Sequence, residues 1–365
     1  MAVNVGTGSL NSNSKNKKSL ALIGCFTTTE RQARGTGITV FSMNEGHSWQ
    51  EIACLDGITN PSYLLADPAR QVIFAAHGDA EFASSYAIDV ESGRVSPLGQ
   101  TASGGKNGVS VALHPSGRFL FVANYSSGSI TTLPVEADGS LRDAAHRFEL
   151  PGPTGPHRGE QDMSHPHDTI FDPSNRFLIV PDKGLDRVFV LGINNDDGRL
   201  LEISHVTLRA GSGPRHIKFH STLPLAFVIN EIDSTVAILR WDAEAGILVP
   251  LHVTAALPSI FFGENTAAEI VIDRSGRFIY ASNRGKNVVT HFALSDGGEE
   301  LHPVGWTSTQ GRTPRFMTLS PNGEWLLVAN EQSDTIVAFS INEKDGTLAP
   351  KMTLATASPS SIVFL

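Results

Sequence analysis

The chain has 365 residues, 40% hydrophobic and 18% charged, which is the composition of an ordinary globular protein. A formal net charge of -9 gives no basic footprint for nucleic acid or an anionic membrane surface, so neither is expected as a partner. Two cysteines, Cys25 and Cys54, make no disulfide framework, and no apolar run approaches the roughly 20 residues of a spanning helix.

Residues 1–17 are mostly Asn, Ser, Gly and Lys and read as a disordered tail. The stretch "KNKKSLALIGC" that follows has the look of a lipoprotein cleavage box. Its apolar part, Leu20 to Ile23, is shorter than an export signal needs, so it reads as a β-strand and the protein as cytoplasmic.

Beyond the tail the chain repeats a unit. A polar triplet leads into an apolar run, a turn, and a second apolar run that ends on Asp or Asn. A Gly/Asp turn and further alternating runs follow. The third residues of the triplets are Ser62, Val109, His167, Arg215, Ala268, Arg315 and Ser360, with spacings of 47, 58, 48, 53, 47 and 45. Units of this length suit the four-stranded blades of a β-propeller. In blade three the strands are "DTIFD" (A), "FLIVPD" (B), "RVFVLGI" (C) and "RLLEISHV" (D). The last unit, "SPSSIVFL", supplies only strand A. "SLALIGCF" matches its strand B and "GITVFSMN" its strand C. The predicted fold is therefore an all-β, seven-bladed propeller over residues 18–365, closed by pairing N-terminal strands with the C-terminal strand. Closure protects sheet edges.

In such a blade the starts of the A strands and the ends of the B strands share one face. The unlike polar residues fall there. The B ends supply Asn124, Asp182, Lys183, Glu231, Asn283, Arg284 and Asn330. The A starts supply His165, His167, Asp168, Arg215, His216, Glu269 and Arg315. The two longest connections, "PGPTGPHRGEQDMS" and "LPSIFFGENTA", emerge on the same face, where long loops usually shape a site.

The strings "ANYSSGSI", "HPHDTIFDP", "GPRHIKFH", "NEIDSTV", "AAEIVIDRSGRFIYASNRG" and "GRTPRFMTLSPNGEWLLVANEQSDTIVAF" resemble the seven-bladed propeller lactonases, in order and at blade spacing. That family includes bacterial 6-phosphogluconolactonases and a fungal muconate-lactonising enzyme. The resemblance implies a pocket built on His167, Arg215, Glu231 and Arg284, no cofactor or metal, and a small anionic lactone as substrate. The ring of A starts and B ends adds His165, Asp182, Lys183, Asn124, His216, Glu269, Asn283, Arg315 and Asn330 as candidate substrate contacts. Two stretches depart from the family. Val109 stands in "KNGVSVAL" where many members carry Pro and a polar residue, and His77-Gly78 stands where many have Asn-Glu. Both alter one side of the pocket.

Arg215 and Arg284 can clamp an anion or polarise a lactone carbonyl, or they can bridge blades. Glu231 can activate water or balance the arginines, and His167 can move a proton or cap a strand. His165, His167 and Asp168 raise a metal reading that Pro166 and the lack of a third clear ligand weaken. No G-x-S-x-G elbow exists. The expectation is a lactonase, monomeric or weakly dimeric. A muconolactone cycloisomerase and a non-catalytic binding propeller are the alternatives.

Overall fold

The computed structural model describes residues 19–43 and 49–365. The tail expected at 1–17 lies outside the described residues. Among the described residues, 28 strands form seven four-stranded antiparallel sheets. The innermost strands abut one another around the ring. Six sheets use four strands consecutive in the chain. The seventh combines Pro359–Phe364 with Ser19–Cys25, Gly37–Met43 and Trp49–Asp56. Its joint is the pairing Ala21↔Phe364, Leu22↔Val363 and Ile23↔Ile362, which realises the expected closure. Cys25 lies buried within this blade, and neither cysteine is in a disulfide.

The B strands, such as Phe177–Asp182 and Leu225–Asn230, are buried along their whole length. Each is covered on both faces by neighbouring blades. This explains why their sequences are continuously apolar rather than alternating. The core is therefore distributed between blades. Ile179 and Val190 of blade three meet Ile217, Val228 and Trp241 of blade four, for example. The A–B turns interlock as well. Gly276 has φ +75°, and a Cβ there would stand 2.2 Å from His220 Nε2 of the preceding blade.

The outer D strands are edges and carry their own protection. At the bulge between strands C and D, the D-strand partner is Pro97, Pro250, Pro303 or Pro350 in four blades and Glu51 or Glu202 in two others. Proline and inserted charge both discourage edge-to-edge pairing.

The inner A strands also have a bulge, and it makes the site. Pro61 pairs with His77 and Tyr63 with Ala76, which leaves Ser62 unpaired. In the same way Val109, Arg215, Arg315 and Ser360 fall out of the ladder. Blade five skips both Ala268 and Glu269. In blade three the ladder shrinks to Ile170–Phe171. "DTIFD" begins late because Asp168 accepts the N–H of Thr169 (2.9 Å) and the hydroxyl of Ser110 (3.1 Å). In five blades the third residue of the triplet is thus the bulged one, and in blades three and five it also lies outside the regular ladder. A bulge re-aims its side chain, and bulges concentrate beside active sites.

Candidate active site

The triplet residues Ser62, Val109, His167, Arg215, Arg315 and Ser360 line one cavity of about 210 Å³. The residues that follow strand B or end it, Phe26, Gly78, Tyr125, Lys183, Glu231 and Arg284, line the same cavity. Ala268 is the one third residue of a triplet that does not reach it. In blade five Arg284 supplies the side chain instead.

Glu231 is buried at the centre of a cationic cluster. Its Oε1 accepts from Lys183 Nζ at 2.9 Å. Its Oε2 lies 2.9 Å from Arg215 Nε and 3.0 Å from Arg284 Nη2, although neither N–H points along the contact well enough for a hydrogen bond. Burial pushes its carboxyl upward, but Arg284, Lys183 and Arg215 outweigh burial and hold it well below the usual carboxylate range. Burial and the neighbouring Arg284 bring Arg215 down to about 10, so it is still charged at neutral pH.

Arg215 is held from three sides. Nη1 donates to the carbonyl of Ala268 and approaches Nε2 of His216 at 3.2 Å, while Nε faces Glu231. His216 is fixed in turn by Glu269, whose Oε1 lies 2.9 Å from its Nδ1. Arg284 donates Nη2 to the carbonyl of Ala267 at 3.0 Å.

His167 differs from all of these. Its ring packs edge-on against Tyr125 and beside His216, and neither ring nitrogen has a hydrogen-bond partner among the described residues. Burial, with Arg215 nearby, pulls it well below its ordinary value, so it is neutral at pH 7.

Of the residues singled out from sequence, His167, Lys183, Arg215, His216, Glu231, Arg284 and Arg315 converge on the cavity. Asp168, bound to Thr169 and Ser110, does not line it, nor do six others. Asn124 donates to Ser103 O and Thr131, and Asn283 to Thr290. Asn330 donates to Thr309 O, so these amides tie loops together. The Asp182 carboxylate gathers the N–H groups of His165, Gly184 and Leu185 within 3.0 Å. His165 stacks on Tyr125, with Nδ1 at Tyr125 O and Nε2 at Asp162. Glu269 acts behind His216. Asn124, Asn283 and Asn330 are paired in their B strands, and their amides are spent within the same blade or its loops, whereas Arg215 and Arg315 fall at bulges and reach the cavity. No group of three or more His, Cys, Asp or Glu able to hold a metal occurs among the described residues.

Sequence reasoning missed Arg31, Tyr63, Asn107 and Phe316, all of which line the cavity. Arg31 lies in a short turn, Thr29–Arg31, within the connection from Phe26 to Thr36. That connection is far longer than its counterpart in blade three, and its length on the site face was the available signal.

The model of the family "Lactonase, 7-bladed beta-propeller" matches residues 20–364. The chain belongs to this lactonase family. Among its relatives, the 6-phosphogluconolactonase of Bacillus subtilis is 30% identical over 84% of this chain and 87% of its own length. That of Pectobacterium carotovorum is 32% identical over 73% and 76%. The periplasmic gluconolactonase of Pseudomonas aeruginosa superposes with a TM-score of 0.87 at 28% identity, covering 95% of this chain and 99% of the other. The two departures noted in the sequence fall together in this lactonase. Val109 and Gly78 line the cavity beside Phe26 and Tyr63. His77 turns away from it, its Nδ1 2.6 Å from Thr59 O and its ring against Phe82.

Proposed function

We propose that this lactonase hydrolyses the ring ester of a small anionic sugar-acid lactone of the 6-phosphogluconolactone type. The observation that carries the reading is the juxtaposition of Arg215 and Arg284 with a neutral, unpartnered His167 in one cavity. The lactone carbonyl is placed towards the two guanidinium groups, which stabilise the oxyanion that forms when water adds. His167 accepts the proton of the attacking water. When the tetrahedral intermediate collapses, the ring C–O bond breaks and the imidazolium returns that proton to the departing alkoxide, leaving a hydroxy acid. A His held well below its ordinary value is a strong proton donor once charged, which suits the second step.

Glu231 is assigned to positioning rather than to proton abstraction. Three cations hold its charge so firmly that it is a poor base near neutral pH. Its role is to hold Arg215, Arg284 and Lys183 in one array.

A cycloisomerase that opens or forms a muconolactone-type ring is the second reading. The uncharged wall of Phe26, Tyr63, Val109 and Phe316 favours it, because a less hydroxylated acid would pack there. Purified protein is incubated with a panel of sugar lactones and muconates, and products are followed by NMR. Turnover of muconates alone would select the cycloisomerase, and turnover of neither class would reject both readings. We further place the protein in the cytoplasm as a monomer or weak homodimer. No helix of the described residues is long and apolar enough to cross a membrane, but the Pseudomonas relative is periplasmic, so cell fractionation is the test.

A further inference from the structure

Five cationic side chains, Arg31, Lys183, Arg215, Arg284 and Arg315, line the cavity against the single carboxylate of Glu231. Three of the five already share Glu231. The other two stand apart and are incompletely used. Arg315 is a bulged A-strand residue, mostly buried, yet it donates no hydrogen bond among the described residues. Its ion-pair contact is Glu331, at a loose 3.5 Å. Burial pulls it below its ordinary value, and the neighbouring Arg284 and Arg31 act in the same direction. Arg31 clasps Asp79 through Nε and Nη2, at 2.5 and 2.7 Å, which leaves Nη1 without a partner among the described residues.

Both guanidinium groups stand over the ring of Phe26, with their central carbons 4.3 Å (Arg31) and 5.0 Å (Arg315) from its centroid. One aromatic ring therefore fixes two like charges beside one cavity, each with a single carboxylate of its own, Asp79 or Glu331, and with N–H donors left over for a further anion. Gly78 makes room for it. A Cβ at that position would stand 2.9 Å from Phe26 Cε1. Blades four and six place Glu231 and Glu331 at the equivalent strand end. Blade one has Gly78 there, and its carboxylate stands one residue on, at Asp79, where it pairs with Arg31.

We infer that Arg315 and Arg31, mounted on Phe26, form a second anion subsite that receives a phosphate or carboxylate on the substrate remote from the scissile ester. Planar guanidinium groups with free N–H donors match the oxygen edge of either anion. The subsite rests on the lactonase reading and deepens it. The substrate carries its own negative charge in addition to the one that develops at the carbonyl, and blades six and seven read it while blades three to five do the chemistry.

The test measures kcat/KM on three lactones: glucono-lactone, its phosphate ester, and a lactone bearing a free carboxylate. The ratio of charged to uncharged substrate is the readout. The parent should favour at least one charged lactone by about tenfold or more, and which one it favours separates phosphate from carboxylate. Arg315→Gln and Arg31→Gln should each collapse that ratio, whereas Arg215→Lys should lower every lactone and preserve it. A parent with no charge preference, or a ratio unchanged in both Gln variants, overturns the subsite. Should Arg315→Gln fail to fold, Arg31→Gln, at a more exposed position, decides. Should the parent hydrolyse none of the three, the lactonase reading fails by itself. Calorimetry with gluconate, 6-phosphogluconate and the dicarboxylate glucarate then judges the subsite, and equal affinity for all three overturns it.

Discussion

Glu269 Oε1 lies 2.9 Å from Nδ1 of His216, and Nε2 of the same ring faces Arg215 Nη1 at 3.2 Å. A carboxylate that does not line the cavity therefore fixes the imidazole so that Nδ1 donates and Nε2 accepts, and the imidazole steers the guanidinium. His216→Phe keeps the flat ring but removes both nitrogens. Misplacing Arg215 should lower kcat by about tenfold to a hundredfold, with a smaller change in KM. The same variant leaves Glu269 short of its partner and should lower folding stability by roughly 3 kcal/mol. An unchanged kcat in a stably folded His216→Phe protein would show that Arg215 does not depend on this chain of contacts.

Arg215→Ala should cut lactone turnover on the order of a hundredfold or more if its contact tightens on the developing oxyanion. Arg215→Lys should rescue little. Lysine cannot face Glu231, Ala268 O and the cavity at once, because it lacks the planar fork. Steady-state kinetics on the best lactone of the panel would decide this, and near-parental turnover in the Lys variant would reduce Arg215 to a point charge.

Glu231→Gln preserves shape and removes the charge that Arg215, Arg284 and Lys183 share. If Glu231 only positions, kcat should fall while the pH–rate profile keeps the shape set by His167. If Glu231 is the base, an ionisation should vanish from that profile. Because the folded-state carboxyl is held low, Glu231 adds stability that is present above its unfolded value and is lost as pH falls through the folded one. Acid unfolding of Glu231→Gln should therefore depend less on pH below about 4.3, as followed by circular dichroism.

His77 offers a separate check. Burial lowers it from 6.5 to about 4, and its Nε2 has no partner. The unfolded chain binds a proton there between those two values and the folded chain does not, so stability is full above pH 6.5 and declines as pH falls towards 4. The effect is roughly 3 kcal/mol. Denaturant melts across that window should show a shallower slope for His77→Phe than for the parent. Identical slopes would mean that His77 protonates without unfolding the chain.

The ring depends on its last strand. Deleting Ser358–Leu365 removes the partners of Ala21 to Cys25 and exposes both the blade-seven edge and the apolar side of blade one. Aggregation, or a melting temperature much below the parent's, is the expected result on gel filtration and thermal melts. A soluble, equally stable truncation would contradict closure as the stabilising element.

The sequence by itself determined the blades, their closure and the face that carries the site. These are properties of local pattern: strand length, turn residues and the spacing of Ser62, Val109, His167, Arg215, Ala268, Arg315 and Ser360. Strand direction then forces A starts and B ends onto one face. The tertiary structure decided which of those residues enter the cavity, because a one-residue bulge aims Arg215 inward while the ladder turns Asn124 and Asn283 towards their own loops. It also brought Arg31 of the first connection beside Arg315, and placed Lys183, Arg215 and Arg284 around Glu231. Protonation and orientation there depend on charges contributed by different blades, whose separation of a few ångströms is set by ring closure and by no feature of the intervening chain.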